Sequence, residues 1–138
     1  MIITKEFTFE AAHRLPLHTG ACANVHGHSY RVRITLATVI NHGCEDMVMD
    51  FGEVKKRIYG PCDHAFISAS TDRVGEMLYR EGMKVYFLPK KYTQPTAETM
   101  AEHFAELVGP QCTLVEVWET ANSCAVWSKR HVKKVQDQ

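Results

Sequence analysis

No stretch of this 138-residue chain approaches the roughly 18 consecutive apolar residues that a membrane span requires. The opening Met1-Ile2-Ile3-Thr4-Lys5-Glu6 lacks the long apolar core of a secretory leader. Net charge is also missing. Sixteen Lys and Arg residues face sixteen Asp and Glu residues, so no basic field exists to gather phosphate backbones or an anionic membrane surface. Cysteine occurs five times, as Cys22, Cys44, Cys62, Cys112 and Cys124, but in odd number and never as Cys-x-x-Cys. That pattern excludes a secreted disulfide framework and suits reduced thiols, most of them small buried hydrophobes. There is no internal repeat, no low-complexity run and no linker rich in Pro, Gly or Ser, so residues 1–138 read as a single domain. Together these absences point to a cytosolic chain whose partner is a small molecule rather than nucleic acid or membrane.

What is present is a chain with 45% apolar residues, long enough to bury about two-thirds of its unfolded surface without a disulfide or metal staple. Any metal must therefore be argued from its own site. Residues 2–13 set Ile3, Lys5, Phe7, Phe9 and Ala11 against Thr4, Glu6, Thr8, Glu10 and Ala12, the period of a half-buried strand ending near His13. A second strand, from about His28 to Val39, places Tyr30, Val32, Ile34 and Leu36 on one face and Ser29, Arg31, Arg33 and Thr35 on the other. At Asp50 the period changes. Asp50 with Glu53 reads as a helix start, followed by Phe51, Val54 and Ile58 and a stop at Gly60-Pro61. A short strand is expected at Lys84–Leu88. Pro95-Thr96 then opens a second helix carrying Ala97, Met100, Ala101, Phe104, Leu107 and Val108, closed by Gly109-Pro110. Two strands finish the chain, Thr113–Thr120 and about Cys124–Ser128, joined by Ala121-Asn122-Ser123.

These elements predict an α+β fold: an antiparallel four-stranded sheet with two helices on one face, the other face left to Arg31 and Arg33. Long open edges on such a sheet invite closure into a barrel by neighbouring copies, so a homo-oligomer is expected.

Four groups could carry chemistry. In extended chain His26 and His28 project to one face, and His13 can reach them from the adjacent strand. Three neutral imidazoles leave the fourth position of a tetrahedral zinc ion open, the arrangement of catalytic zinc. The competing reading is packing or surface histidine, since a lone His-x-His is common. His18, His42, His103 and His131 lack comparable partners and read as solvated or locally hydrogen-bonded. Cys22, four residues before His26, is a thiolate base or nucleophile, a fourth ligand closing the shell, or an inert buried thiol. Asp63-His64 supplies a base and its orienter, although neighbours in a strand point apart. Glu119 shares a strand face with Val115 and Val117, where a carboxylate needs a partner unless it reaches water at the strand end. The side-by-side ring N–H and amine of an aminopyrimidinone would satisfy it in bidentate fashion.

Phe9-Glu10-Ala11-Ala12-His13, Cys22-Ala23-Asn24-Val25-His26-Gly27-His28-Ser29-Tyr30, Met47-Val48-Met49-Asp50-Phe51, Asp63-His64, Pro95-Thr96-Ala97-Glu98 and Glu119-Thr120 together resemble the 6-pyruvoyl-tetrahydropterin synthase superfamily. The Cys-x-x-x-His-Gly-His spacing resembles its 6-carboxy-5,6,7,8-tetrahydropterin synthase branch, the bacterial queuosine-pathway members, more than the pyruvoyl-forming one. The resemblance implies a tunnelling fold whose trimers close a barrel and stack into a hexamer, with sites at subunit contacts. It implies zinc on His13, His26 and His28, Cys22 as proton acceptor, Asp63 and His64 as a proton relay, Glu119 as pterin anchor and Thr96 beside the ring. The implied reaction converts 7,8-dihydroneopterin triphosphate to 6-carboxytetrahydropterin, releasing acetaldehyde and triphosphate. Segment 68–93 has no assigned role, and Arg14, Arg73, Lys90 and Lys91 are triphosphate candidates by charge alone.

Three other readings remain beside this one. A pyruvoyl-forming synthase would share the zinc, Cys22 and the anchor but stop before carbon–carbon cleavage. A zinc hydrolase would need no Cys22, and in a non-catalytic zinc module Cys22 would complete the shell.

Overall fold

The computed structural model describes residues 1–40, 46–130 and 136–138; His42, Cys44 and His131 lie outside the described residues. The alternation of residues 2–13 becomes β1 (Ile2–His13), in which Phe7, Phe9, Ala11 and His13 are buried and Thr4, Glu6, Thr8 and Glu10 exposed. A single 3₁₀ turn at Ala21–Ala23 leads to β2 (His26–Ala37), antiparallel to β1, with His13 opposite His26 and Ala11 opposite His28. The ladder thus continues to His26, two residues earlier than periodicity gave, and carries both histidines into the sheet.

The helix α1 (Phe51–Cys62) starts where expected: the Asp50 carboxylate accepts from the Glu53 N–H at 3.0 Å. It does not stop at Gly60-Pro61. Pro61 forfeits one helical hydrogen bond in the last turn, and the Asp63 N–H to Tyr59 carbonyl bond at 2.9 Å still closes the helix. Then come β3 (Ala65–Ser68), α2 (Arg73–Arg80), β4 (Val85–Phe87), α3 (Ala97–Val108), β5 (Cys112–Thr120) and β6 (Ser123–Ser128). Thr96 caps α3 by accepting from the Thr99 N–H, and Gly109, at φ 111°, ends it in a conformation open to glycine. The β5–β6 turn is one residue shorter than expected, because Ser123 pairs with Thr120 and leaves Ala121-Asn122 as the loop.

Among the described residues the sheet has six strands in the order β4-β3-β1-β2-β5-β6, not four, and three helices rather than two. It is mixed: β3 runs parallel to β1 and β4 parallel to β3. β4 falls within the short strand expected at Lys84–Leu88, whereas β3 escapes periodicity for a physical reason. All four residues of β3 are buried, so it has no polar face to alternate with. Both fall within or beside segment 68–93, which builds α2 and β4. The consequence for the edge argument is direct, since β3 covers the open side of β1 and the sheet edges are the three-residue β4 and β6.

One face of the sheet carries the core. Val54, Ile58 and Cys62 of α1 and Met100, Phe104 and Val108 of α3 pack on Phe9, Tyr30, Val32, Ile34, Leu36, Val115 and Val117. The opposite face holds charge. Arg31 reaches Glu6 at 3.1 Å and lies 4.0 Å above the Trp118 ring, while Arg33 bridges Glu6 and Glu116 at 3.5 and 3.3 Å. No helix among the described residues is long and apolar enough to cross a membrane.

Candidate active site

Three imidazoles meet at the end of the β1–β2 ladder. The parity that buries Phe9 and Ala11 also buries His13, and on β2 its antiparallel partner His26 and, opposite Ala11, His28 project onto the same face. One ring nitrogen from each of the three lies within 4.8 Å of the others, a cluster that could hold a metal ion. Tyr30 supports it from below, its ring 5.3 Å from that of His28 and 6.0 Å from that of His13, and itself stacked on Phe9 at 5.1 Å.

The tautomers favour a cation. His13 Nδ1 donates to the Pro95 carbonyl at 2.8 Å and His26 Nδ1 to the Asn24 carbonyl at 2.8 Å, so in both neutral rings Nε2 keeps its lone pair. Yet the two Nε2 atoms face each other at 3.0 Å. Burial, together with charge on neighbouring His26 and His28, pushes the His13 pKa down to about 4 against the pull of the Pro95 carbonyl, so the His13 ring is neutral near pH 7. Two opposed lone pairs are stabilised by a shared cation. Their spacing is close to the roughly 3.3 Å expected between tetrahedral ligands at about 2.0 Å from zinc. The residues therefore fit the metal that the resemblance implied.

Glu119 completes one side. The β5–β6 register shifts between Trp118 and Thr120, leaving Glu119 in a bulge without a cross-strand partner on β6. Its side chain is 27% exposed and its carboxylate lies 4.0 Å from His13 Nε2. Glu119, Thr96, Glu98, Ser123 and Cys124 line a cavity of about 300 Å³, so the pterin-anchor and ring-flanking candidates share one pocket.

Cys22 sits in the 3₁₀ turn two residues ahead of Asn24, as a half-buried free thiol. It does not join the trio of ligand atoms. Cys62 and Cys112 are buried, with burial pushing their thiols up to about 12 and about 11, whereas Cys124 is exposed.

Asp63 and His64 are brought together, against the alternation argument. His64 takes φ 58°, a left-handed conformation rare outside glycine, and this turns its ring back so that Nδ1 lies 2.8 Å from Asp63 Oδ2. The other Asp63 oxygen accepts the Glu10 N–H at 3.1 Å, and the His64 N–H returns to the Glu10 carbonyl at 2.6 Å. The Glu10 amide, then the His64 and Tyr59 hydrogen bonds, hold the Asp63 carboxyl below the usual range. Among the described residues nothing links this pair to the trio by hydrogen bond. Glu10 and its partner Ser29 belong to the outward face of the sheet, and with His64, Phe66, Leu78 and Lys84 they line a cleft of about 600 Å³.

Of the charge-only candidates, Arg14 is committed. Its guanidinium binds both oxygens of Asp72, the N-cap of α2, at 2.8 and 3.0 Å, and reaches the Ala23 carbonyl beside Cys22 at 3.5 Å. Lys91 pairs with Glu106 and, at 3.8 Å, with Glu102. His103 is buried rather than solvated, accepting from the Tyr86 hydroxyl at 2.6 Å. What sequence reasoning missed are backbone groups, the Pro95 and Asn24 carbonyls that set the histidine tautomers. Pro95-Thr96 was visible as a helix start, but its carbonyl partner 82 residues away was not.

The model of the family described as 6-pyruvoyl tetrahydropterin synthase matches residues 2–130. The chain belongs to that family. Among its relatives, the 6-carboxy-5,6,7,8-tetrahydropterin synthase of Haemophilus influenzae is 33% identical over 138 aligned positions, covering 88% of this chain and 94% of that protein. The protein of the same description from Synechocystis is 36% identical over 133 positions, covering 90% of each. Two solved structures share the fold. An uncharacterized Wolinella succinogenes protein superposes with TM-score 0.72 at 22% identity, covering 94% of this chain and 98% of that one. The Caenorhabditis elegans 6-pyruvoyl tetrahydropterin synthase superposes with TM-score 0.63 at 23% identity, covering 93% and 94%.

Proposed function

We propose that this family member is a zinc-dependent lyase that converts 7,8-dihydroneopterin triphosphate and water to 6-carboxy-5,6,7,8-tetrahydropterin, with acetaldehyde and triphosphate released. The observation that carries the reading is the placement of the Glu119 carboxylate 4.0 Å from His13 Nε2, beside a pocket that Thr96 also lines. A pterin ring held by its paired N–H donors on Glu119 would thereby present its side chain to the histidine trio. The 6-carboxytetrahydropterin synthases from Haemophilus influenzae and Synechocystis, matched over nearly their whole length, support this product over the pyruvoyl one.

His13, His26 and His28 would hold the zinc ion, which when bound supplies Lewis acidity toward the side-chain hydroxyls. Glu119 fixes the ring. Cys22, placed one turn before the His26 strand, removes a proton from the side-chain carbon, and His64, oriented by Asp63, moves protons at the hydroxyl oxygen. The reduced pterin ring is the electron sink for loss of triphosphate and for carbon–carbon cleavage. Because no hydrogen bond among the described residues links Asp63-His64 to the trio, we assign the relay of one copy to the trio of another. That reading goes with a hexamer of stacked trimers, in the cytoplasm, serving queuosine and 7-deazaguanine synthesis.

The test is anaerobic incubation of zinc-loaded protein with 7,8-dihydroneopterin triphosphate, following triphosphate and acetaldehyde together. Equal amounts of both support the reading. Triphosphate without acetaldehyde replaces it with the pyruvoyl-forming synthase, and neither product reopens the hydrolase and zinc-module alternatives.

A further inference from the structure

We propose that Lys84, from the segment between α2 and β4, is a positioning residue that holds His64 in the geometry its proton transfer needs. The inference rests on the relay role proposed above for His64. Lys84 Nζ donates to the Gly60 carbonyl at 2.8 Å and to the Asp63 carbonyl at 2.6 Å. The first of these oxygens is orphaned. In an unbroken helix it would receive the His64 N–H, which here goes instead to the Glu10 carbonyl at 2.6 Å. A cation at the C-terminus of α1 suits both carbonyls and the helix dipole.

The peptide group joining Asp63 to His64 is consequently held at both ends, its oxygen by the Lys84 ammonium and its N–H by Glu10. Fixing that peptide plane fixes the left-handed φ of 58° at His64, and only that turn brings the ring within 2.8 Å of the adjacent Asp63 carboxylate. The ring then carries its proton on Nδ1 and leaves Nε2 without a partner among the described residues, facing the cleft that Lys84 also lines. The charged and titratable groups around the pair are Tyr59 from α1, Asp63 at its C-terminal cap, Glu10 from β1 and Lys84. Released from Lys84, the peptide can relax toward ordinary backbone, and the two side chains then point apart as in any extended dipeptide.

The experiment compares wild type, Lys84→Met and Lys84→Arg as full-length zinc-loaded protein. Nitrogen-15 NMR of the His64 ring, recorded without substrate, reports its tautomer, and steady-state kinetics with 7,8-dihydroneopterin triphosphate report kcat and KM. In Lys84→Met the His64 ring is expected to change from a fixed Nδ1–H tautomer to a mixture. In the same variant kcat falls about tenfold or more at unchanged KM, and Lys84→Arg restores most of both. An unchanged tautomer in Lys84→Met overturns the proposal. So does a raised KM at unchanged kcat, which would make Lys84 a contact to the substrate's phosphates instead. If wild type turns over no pterin, the proposed function fails, and the NMR comparison alone decides the role of Lys84. Should Lys84→Met not fold, Lys84→Gln carries the same measurements.

Discussion

His13 and His26 face each other Nε2 to Nε2 at 3.0 Å while each Nδ1 is already bonded to a backbone carbonyl. A metal cation between them relieves that opposition, so the folded state should bind metal more tightly than the unfolded chain does. Saturation at about 100 times the dissociation constant stabilises by about 2.7 kcal/mol, a melting-temperature gain on the order of 10 °C. Chelation is expected to remove that gain and zinc to restore it, with one ion per chain by elemental analysis and none in His26→Ala. A melting temperature indifferent to both treatments would make the trio packing histidines.

Cys22 lies in the 3₁₀ turn ahead of β2 and stays outside the cluster of ligand atoms. Cys22→Ala should therefore keep its full complement of zinc and lose at least about 100-fold in kcat, the lower range for removing a general base. Loss of the metal along with activity would instead identify the thiolate as a fourth ligand.

The half of the fold that was legible in the sequence is the half with a polar face. β1, β2, α1, α3 and β5 each alternate between core and solvent, and their periods expose them; β3 is buried throughout and leaves no period to read, while α2 does carry one, with half-buried Val74 and Leu78 four residues apart after the Asp72 cap. The same limit applies at the site. His13, His26 and His28 follow from strand parity alone, since a pairing that sets His13 opposite His26 puts all three on one face. Asp63 and His64 do not, because their contact depends on a positive φ at a non-glycine residue, which tertiary bonds to Glu10 and Lys84 impose. Glu119 was placed on the correct face, but the bulge that frees it from a cross-strand partner depends on the β6 register.

Glu119→Gln keeps the size of the side chain and exchanges one acceptor oxygen for a donor. Against a ring that presents two donors, this weakens one charge-assisted hydrogen bond to a neutral one and turns the other into a donor–donor contact, about 1.5–3 kcal/mol or roughly 10- to 100-fold in kcat/KM. Steady-state kinetics on the pterin triphosphate check it. If kcat/KM held while the melting temperature fell, Glu119 would be a structural partner of His13 rather than an anchor.

Asp72 should tie stability to pH. Burial alone would raise its pKa, but the bidentate bond from Arg14, the Val74 N–H and the charges of Arg14 and Arg73 outweigh burial and hold the carboxyl below its ordinary value. A depressed folded pKa contributes stability that is complete above the unfolded value near 3.9 and is lost as pH falls through the folded one. The urea midpoint should accordingly drop below about pH 4 more steeply in wild type than in Asp72→Asn. At pH 7, Arg14→Ala strands a carboxylate only 2% exposed and should destabilise by about 2–3 kcal/mol. Equal acid sensitivity in wild type and Asp72→Asn would assign the acid loss to other carboxylates.

Gly75 tests how α2 docks on β3. A helix interior ordinarily prefers alanine to glycine by about 1 kcal/mol, which would make Gly75→Ala stabilising if the helix lay free. Here an added Cβ would lie 2.1 Å from Ser68 Oγ and 2.7 Å from Ser68 Cβ, with the Phe87 ring at 3.3 Å. Ser68 Cβ cannot move without β3, which is buried and paired to β1 and β4 on its two sides. The overpacking should cost about 1–3 kcal/mol and outweigh the propensity gain, lowering the melting temperature by several degrees. Ser68→Gly in the same chain removes both clashing atoms and should recover part of the loss, so the two changes are expected to be non-additive in thermal denaturation. A higher melting temperature in Gly75→Ala alone would mean that α2 does not rest on β3 at this position.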